Sequence, residues 1–190
     1  MKTLKIFLIL FVCLVFIIAV FLYVSMNSDS HDNPDKLLGV DVRLFMDTEA
    51  WPLAEAIDEE DVEEMERLIS ENKNLLNFKE PTYRQTLLMW AVNAEKYNAA
   101  KKLLELGADP NICSEYDGDN ALMFAADNWE DTRYLKLLLS YGANPNDTSG
   151  KAYGREITPL MMAVTNSNLE NVKLLVEAGA NINYRSEVAG

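Results

Sequence analysis

The chain opens on an unbroken apolar run. Residues Ile6 to Val24 contain no charged residue and no proline. As a helix rising about 1.5 Å per residue, the run reaches roughly 28 Å, close to the thickness of a bilayer core. A domain this small cannot bury a helix that is apolar on every side. Lys2 and Lys5 precede the run, and Asp29, Asp32 and Asp35 follow it. The positive-inside bias then keeps the N-terminus cytoplasmic and exports the rest. Residues 1–24 are therefore read as a transmembrane anchor. The rival reading is a cleaved signal, whose apolar core spans about 7–15 residues and ends at a small-x-small site. Here the run is longer, and the best cleavage candidate, Ser28-Asp29-Ser30, is poor. Residues 25–50 form a linker and an N-terminal capping segment. They are Ser-, Asn- and Asp-rich up to residue 36 and moderately apolar from Leu37 to Met46.

From residue 51 the pattern changes to short amphipathic helices in pairs, and it repeats. Thr86-Leu-Leu-Met-Trp-Ala91, Asn120-Ala-Leu-Met-Phe-Ala125 and Thr158-Pro-Leu-Met-Met-Ala163 each begin a first helix. Ala100-Lys-Lys-Leu-Leu104, Leu135-Lys-Leu-Leu-Leu139 and Val172-Lys-Leu-Leu-Val176 each carry a second. Gly107-Ala-Asp-Pro-Asn111, Gly142-Ala-Asn-Pro-Asn146 and Gly179-Ala-Asn-Ile-Asn183 end the units. A fainter copy runs from Leu53 to Asn77, and the closing asparagines are 34, 35 and 37 residues apart. Thr86, Asn120 and Thr158 suit helix N-caps, where a side-chain oxygen accepts an orphan backbone N–H. Pro159 suits a first helical position. Gly107, Gly142 and Gly179 suit left-handed caps after the second helices.

The recurring Thr-Pro-Leu start, the double-helix spacing and the Gly-Ala-x-x-Asn ending together resemble the ankyrin repeat family over residues 51–190. The resemblance implies an all-α solenoid in which a β-hairpin finger precedes each pair of antiparallel helices. It divides the domain into units 51–77, 78–111, 112–146 and 147–183, followed by a partial finger. A single unit cannot bury its own apolar face, so neighbours must stack. Met89, Met123 and Met161, with Trp90, Phe124 and Met162, fall at inter-repeat core positions in this register. The chain also departs from the family pattern. The glycine expected between the two helices is replaced by Glu60, Glu95 and Ser167 at or near its position. The third full finger, Asp147 to Ile157, is about four residues longer than usual.

Composition narrows the function. The chain has 17 basic and 30 acidic residues, with net charge −13. That balance works against nucleic-acid binding, which needs Lys and Arg clusters to neutralise phosphates. A single histidine, His31, and two cysteines leave little for His-dependent catalysis, a Cys-based zinc site or a disulfide scaffold. No Gly-x-Ser-x-Gly, His-Glu-x-x-His or Cys-x-x-Cys occurs. No enzyme activity, metal or cofactor is expected.

A surface remains. The resemblance implies that ligands meet the finger tips and the exposed ends of the first helices. In this chain those are Tyr83, Arg84 and Gln85; Tyr116, Asp117 and Asp119; and Tyr153 and Arg155 on the fingers. Tyr184 and Arg185 continue the series. The helix positions are Asn93 and Ala94, then Asp127, Asn128 and Trp129, then Thr165 and Asn166. Tyr and Arg bury large area and hydrogen-bond at modest entropy cost, as interface anchors do. The acidic excess favours a basic protein partner. The expected protein is a membrane-tethered, extracytoplasmic binder, periplasmic in a Gram-negative host. Its concrete bacterial form is an immunity- or inhibitor-type protein. The alternatives are a scaffold of an envelope complex and a secreted soluble binder.

Overall fold

A computed structural model describes residues 39–128, 131–149 and 156–185. All belong to one compact unit, Leu38–Gly190. The predicted span 6–24 lies outside the described residues, as do Trp129, Tyr153 and Arg155. Among the described residues no helix is long and apolar enough to cross a membrane.

Among the described residues four helix pairs follow one another: α1 (Trp51–Asp58) with α2 (Val62–Glu71), α3 (Leu87–Asn93) with α4 (Tyr97–Glu105), α5 (Ala121–Asp127) with α6 (Arg133–Ser140), and α7 (Pro159–Thr165) with α8 (Leu169–Glu177). Their starts are chemically alike. The Thr86 hydroxyl accepts the Met89 N–H at 3.2 Å, the Asn120 amide oxygen that of Met123 at 3.1 Å, and the Thr158 hydroxyl that of Met161 at 3.2 Å. Each cap residue is extended while its helix begins. Each thus satisfies one of the orphan donors at a helix start.

The ends are alike too. Gly107, Gly142 and Gly179 have φ of 99°, 84° and 91°. The residue after each returns its N–H into the last turn: Ala108 to Leu103, Ala143 to Leu138 and Ala180 to Leu175. Between the paired helices the same left-handed turn is made without glycine, by Glu60 (φ 54°), Glu95 (φ 60°) and Ser167 (φ 56°). The backbone closure at these sites repeats the glycine version, Asp61 to Ala56, Lys96 to Ala91 and Asn168 to Ala163. The α5–α6 junction differs. Asn128 is extended there, and its side chain accepts the Asp131 N–H at 3.0 Å.

Stacking buries the first helices. Leu87, Leu88, Met89, Trp90, Leu122 and Met123 are all sequestered, with Leu103, Leu135 and Leu175 from the second helices. At the N-terminal side, Phe45 of a 3₁₀ turn (Val42–Phe45) is fully buried and meets Trp90 edge-on at 6.1 Å. Further along the stack, the sequence expectation needs correcting. Phe124, Met161 and Met162 are only half-buried, and Val164 is 59% exposed where its counterparts Val92 and Ala126 are buried. Among the described residues no further helix pair follows α8 to cover the residues of α7.

The repeats are also tied by a polar ladder along their closing turns. Asn77, Asn111 and Asn146 accept through their side-chain oxygens the backbone N–H of Asp109 (3.1 Å), Asn144 (2.8 Å) and Asn181 (2.7 Å) in the next unit. Asn111 and Asn146 donate in return to the carbonyls of Gly142 and Gly179, each at 3.1 Å.

The fingers depart from the expected hairpins. Among the described residues there is no strand; Lys79 with Thr86 and Cys113 with Asn120 form isolated antiparallel bridges. In the first finger Glu80 closes a tight turn. Its buried carboxylate takes the N–H groups of Thr82 (2.5 Å), Tyr83 (2.8 Å) and Gln85 (2.9 Å). The closing bond joins residues five apart in two fingers, Glu80 to Gln85 and Ser114 to Asp119. In the third it joins Ser149 to Ile157, eight apart, so that finger is three residues longer than its two neighbours.

Candidate functional site

Glu80, Ser114 and Ser149 hold the same place in successive units, and each organises its finger. The Ser114 hydroxyl donates to the Tyr83 carbonyl at 2.8 Å and accepts the Tyr116 N–H at 3.1 Å. The second finger therefore hangs on the first. The Ser149 hydroxyl accepts the Ile157 N–H at 3.0 Å. Sequence reading missed this row. Its signal was positional, a small or acidic acceptor placed six residues before Thr86 and Asn120 alike.

On this framework the first two fingers form a ledge. Tyr83 and Tyr116 meet edge-to-face at 5.5 Å, and Tyr116 stays 62% exposed. Glu115 bridges Lys79 at 3.0 Å and Arg84 at 3.3 Å. Hydrogen bonds from these two cations hold its carboxyl below the usual range. Arg84 takes the left-handed conformation (φ 59°) that Gly118 supplies in the next finger (φ 81°). The predicted Tyr83, Arg84, Tyr116 and Asp117 thus come together on one edge.

Two predicted contact residues lie deeper than expected. Gln85 and Asp119 precede the caps of α3 and α5, and they are only 5% and 8% exposed. They form floor rather than rim, and the carbonyl of each closes its finger by accepting the N–H of Glu80 or Ser114. Gln85 Oε1 and Asp119 Oδ1 take no hydrogen bond. Burial pushes the Asp119 carboxyl up to about 6, and the charges of Asp117 and Asp127 add to the effect.

The helix-end residues form a second row. Asn93 and Asn128 are half-buried, while Asp127, Thr165 and Asn166 are exposed. The row is pinned from unit to unit. Asn128 Nδ2 donates to Glu95 at 3.2 Å, and Asn166 Nδ2 donates to Asp127 Oδ1 at 2.6 Å. Further along, the Tyr184 hydroxyl donates to Glu156 at 2.6 Å, and Arg185 is exposed. Among the described residues no group of three or more His, Cys, Asp or Glu is arranged to hold a metal. Cys113 is a free thiol whose ionisation burial pushes up, which suits a packed residue rather than a reactive one.

A family model for ankyrin repeats (3 copies) matches residues 88–186, just over half of the chain. Protein PhlB of Serratia liquefaciens is 39% identical over 95 residues, 50% of this chain and 40% of that protein. A putative ankyrin repeat protein of Fowlpox virus, FPV014, is 36% identical over 101 residues, 53% of this chain and 22% of that protein. The nuclear factor NF-kappa-B p105 subunit of Gallus gallus is 29% identical over 117 residues, 62% of this chain and 12% of that protein. The chain spans less than half the length of each of these relatives.

Proposed function

The chain belongs to the ankyrin repeat family, and from that premise we propose that its repeat domain is a non-catalytic protein-binding module. Its contact surface is the finger ledge together with the row of first-helix ends. One observation carries this reading: Ser114 joins the second finger to the first, so that an exposed Tyr116 stands against Tyr83 beside Arg84. Rigid aromatic area beside a cation is what interface anchors use, because little side-chain entropy is lost on contact. The acidic balance of the chain supports a basic partner and rapid encounter.

The apolar run 6–24 behind Lys2 and Lys5 supports a membrane tether with the repeats on the extracytoplasmic side. A tether raises local concentration, so modest intrinsic affinity suffices to hold a partner at the membrane. In a bacterium this combination suits an immunity- or inhibitor-type protein that captures a toxin or enzyme outside the cytoplasm.

The test is co-purification. Tagged full-length chain is extracted in mild detergent, and proteins bound at stoichiometric amounts are identified. The reading expects one such partner, with capture lost on combining Tyr83→Ala and Tyr116→Ala. No partner, or capture indifferent to both changes, overturns it.

A further inference from the structure

We propose that the exposed end of α7 and α8 is a dimer face, which packs against the same face of a second copy of this chain. It lies apart from the ledge of the first two fingers and does not depend on it.

Burial falls at matching positions along the stack. Leu88 and Leu122 are buried, and Leu160 is half-buried. Leu104, Leu139 and Val176 each stand three residues before a closing glycine; they are buried, half-buried and 44% exposed. Pro110, Pro145 and Ile182 each stand three residues after one; they are buried, half-buried and 69% exposed. Leu160, Val164, Val176 and Ile182 thus sit where an inner unit meets the next, and they leave apolar side chains open to water. The asparagine ladder runs out at the same end. Asn111 and Asn146 each accept from and donate to the following unit. The Asn183 side chain is exposed and bonds to no later unit among the described residues. The face therefore continues the interface by which the units already stack, and an apolar patch of that kind marks an association site.

Charge selects the occupant. A groove of about 270 Å³ beside α7 is lined by Leu160, Met161, Val164 and Ile182 with Thr, Asn and Tyr side chains, none of them charged. Charged residues make up 25% of the chain and its net charge is −13, so two copies repel over most of their surfaces. They meet most readily where charge is absent, and this groove is such a place. A basic partner is drawn to the acidic surfaces instead. The number of copies follows from the other end of the stack. There the 3₁₀ turn Val42–Phe45 packs with Leu44 and Phe45 buried. Head-to-tail stacking would need that end open. Like face therefore meets like face, and association closes at two.

The test is the self-association of full-length chain in mild detergent, followed by sedimentation up to about 100 μM, since a single small face supports a dimer of roughly micromolar strength. Val164→Glu and Ile182→Glu each place a charge in the groove. Both positions are exposed, so both variants keep the native fold, which circular dichroism checks. Each should weaken the dimer about tenfold or more, because the new carboxylate loses its water on contact. Val40→Glu, which adds the same charge at the other end of the stack, should change it by less than about twofold. Raising salt should strengthen the dimer, because it screens the repulsion between acidic copies. The melting midpoint of the native chain should rise with its concentration, and that of the two groove variants should not. A native chain that stays monomeric, a dimer indifferent to both groove variants, or equal loss with Val40→Glu overturns the face. Any of these outcomes leaves the finger ledge as it stands.

Discussion

The Glu60 carboxylate caps the next repeat: it accepts the backbone N–H of Asn98 at 2.8 Å and the Asn98 side-chain amide at 3.1 Å. Glu60 itself stands in the left-handed turn between α1 and α2, where a side chain is strained. Its carboxylate meets the start of α4, whose own cap residue, Lys96, contributes no capping bond from its side chain. A local cost is offset by a contact 38 residues away.

Replacing Glu60 tests that balance. Glu60→Ala keeps the strain and loses the cap, and should cost about 1–2 kcal/mol. Glu60→Gly loses the cap but relieves the strain, and should cost less. Ser167→Gly, where no cross-repeat cap depends on the side chain, should stabilise by up to about 1 kcal/mol. Urea unfolding orders the three variants; Glu60→Ala more stable than Glu60→Gly would contradict the account.

The asparagine ladder makes an internal comparison. Asn111→Ala removes an acceptor for Asn144 and a donor to Gly142, and should cost about 1–3 kcal/mol. Asn183→Ala should cost under about 0.5 kcal/mol, because the Asn183 side chain is exposed and bonds to no later unit among the described residues. Thermal midpoints of the two variants check the difference, and similar losses would remove the ladder from the stability argument.

Asp119 gives a pH signature. Its folded value, about 6, lies above the unfolded 3.8. The folded state therefore holds the proton more tightly. The resulting stability is complete below the unfolded value and is lost as pH rises through about 6. Asp119→Asn should gain on the native chain as pH rises across that window, with little difference near pH 3.8. Thermal melts at a series of pH values measure the gap, and a constant gap would refute the shifted titration.

Arg84 separates stability from binding. Arg84→Gly relieves the strained φ of 59° and gives up an exposed ion pair with Glu115 worth little. Stability should hold or rise by up to about 1 kcal/mol, while partner capture falls. A destabilised variant, or one with full capture, would remove Arg84 from the ledge.

Much of this was legible in the residues. The caps at Thr86, Asn120 and Thr158, the left-handed glycines and the buried Met89 and Met123 follow from short-range rules. A cap acts within three residues, and a helical face repeats within four. The repeat itself could be found because each unit writes those signals again. Fidelity failed where burial depends on a neighbour: Met161 carries the same local signal as the buried Met89 and Met123 but is only half-buried.

Sequence by itself determined that helix pairs repeat, that three first helices start after Thr86, Asn120 and Thr158, that Gly107, Gly142 and Gly179 follow three second helices, and that the chain is acidic. Tertiary structure alone decided that Glu60 caps a helix 38 residues on, that Ser114 suspends one finger from another, and that Asp119 is floor rather than rim. The division has one physical cause. Helix starts and turns are set by bonds among adjacent residues, whereas burial and cross-repeat bonds exist only after stacking brings together groups more than 30 residues apart.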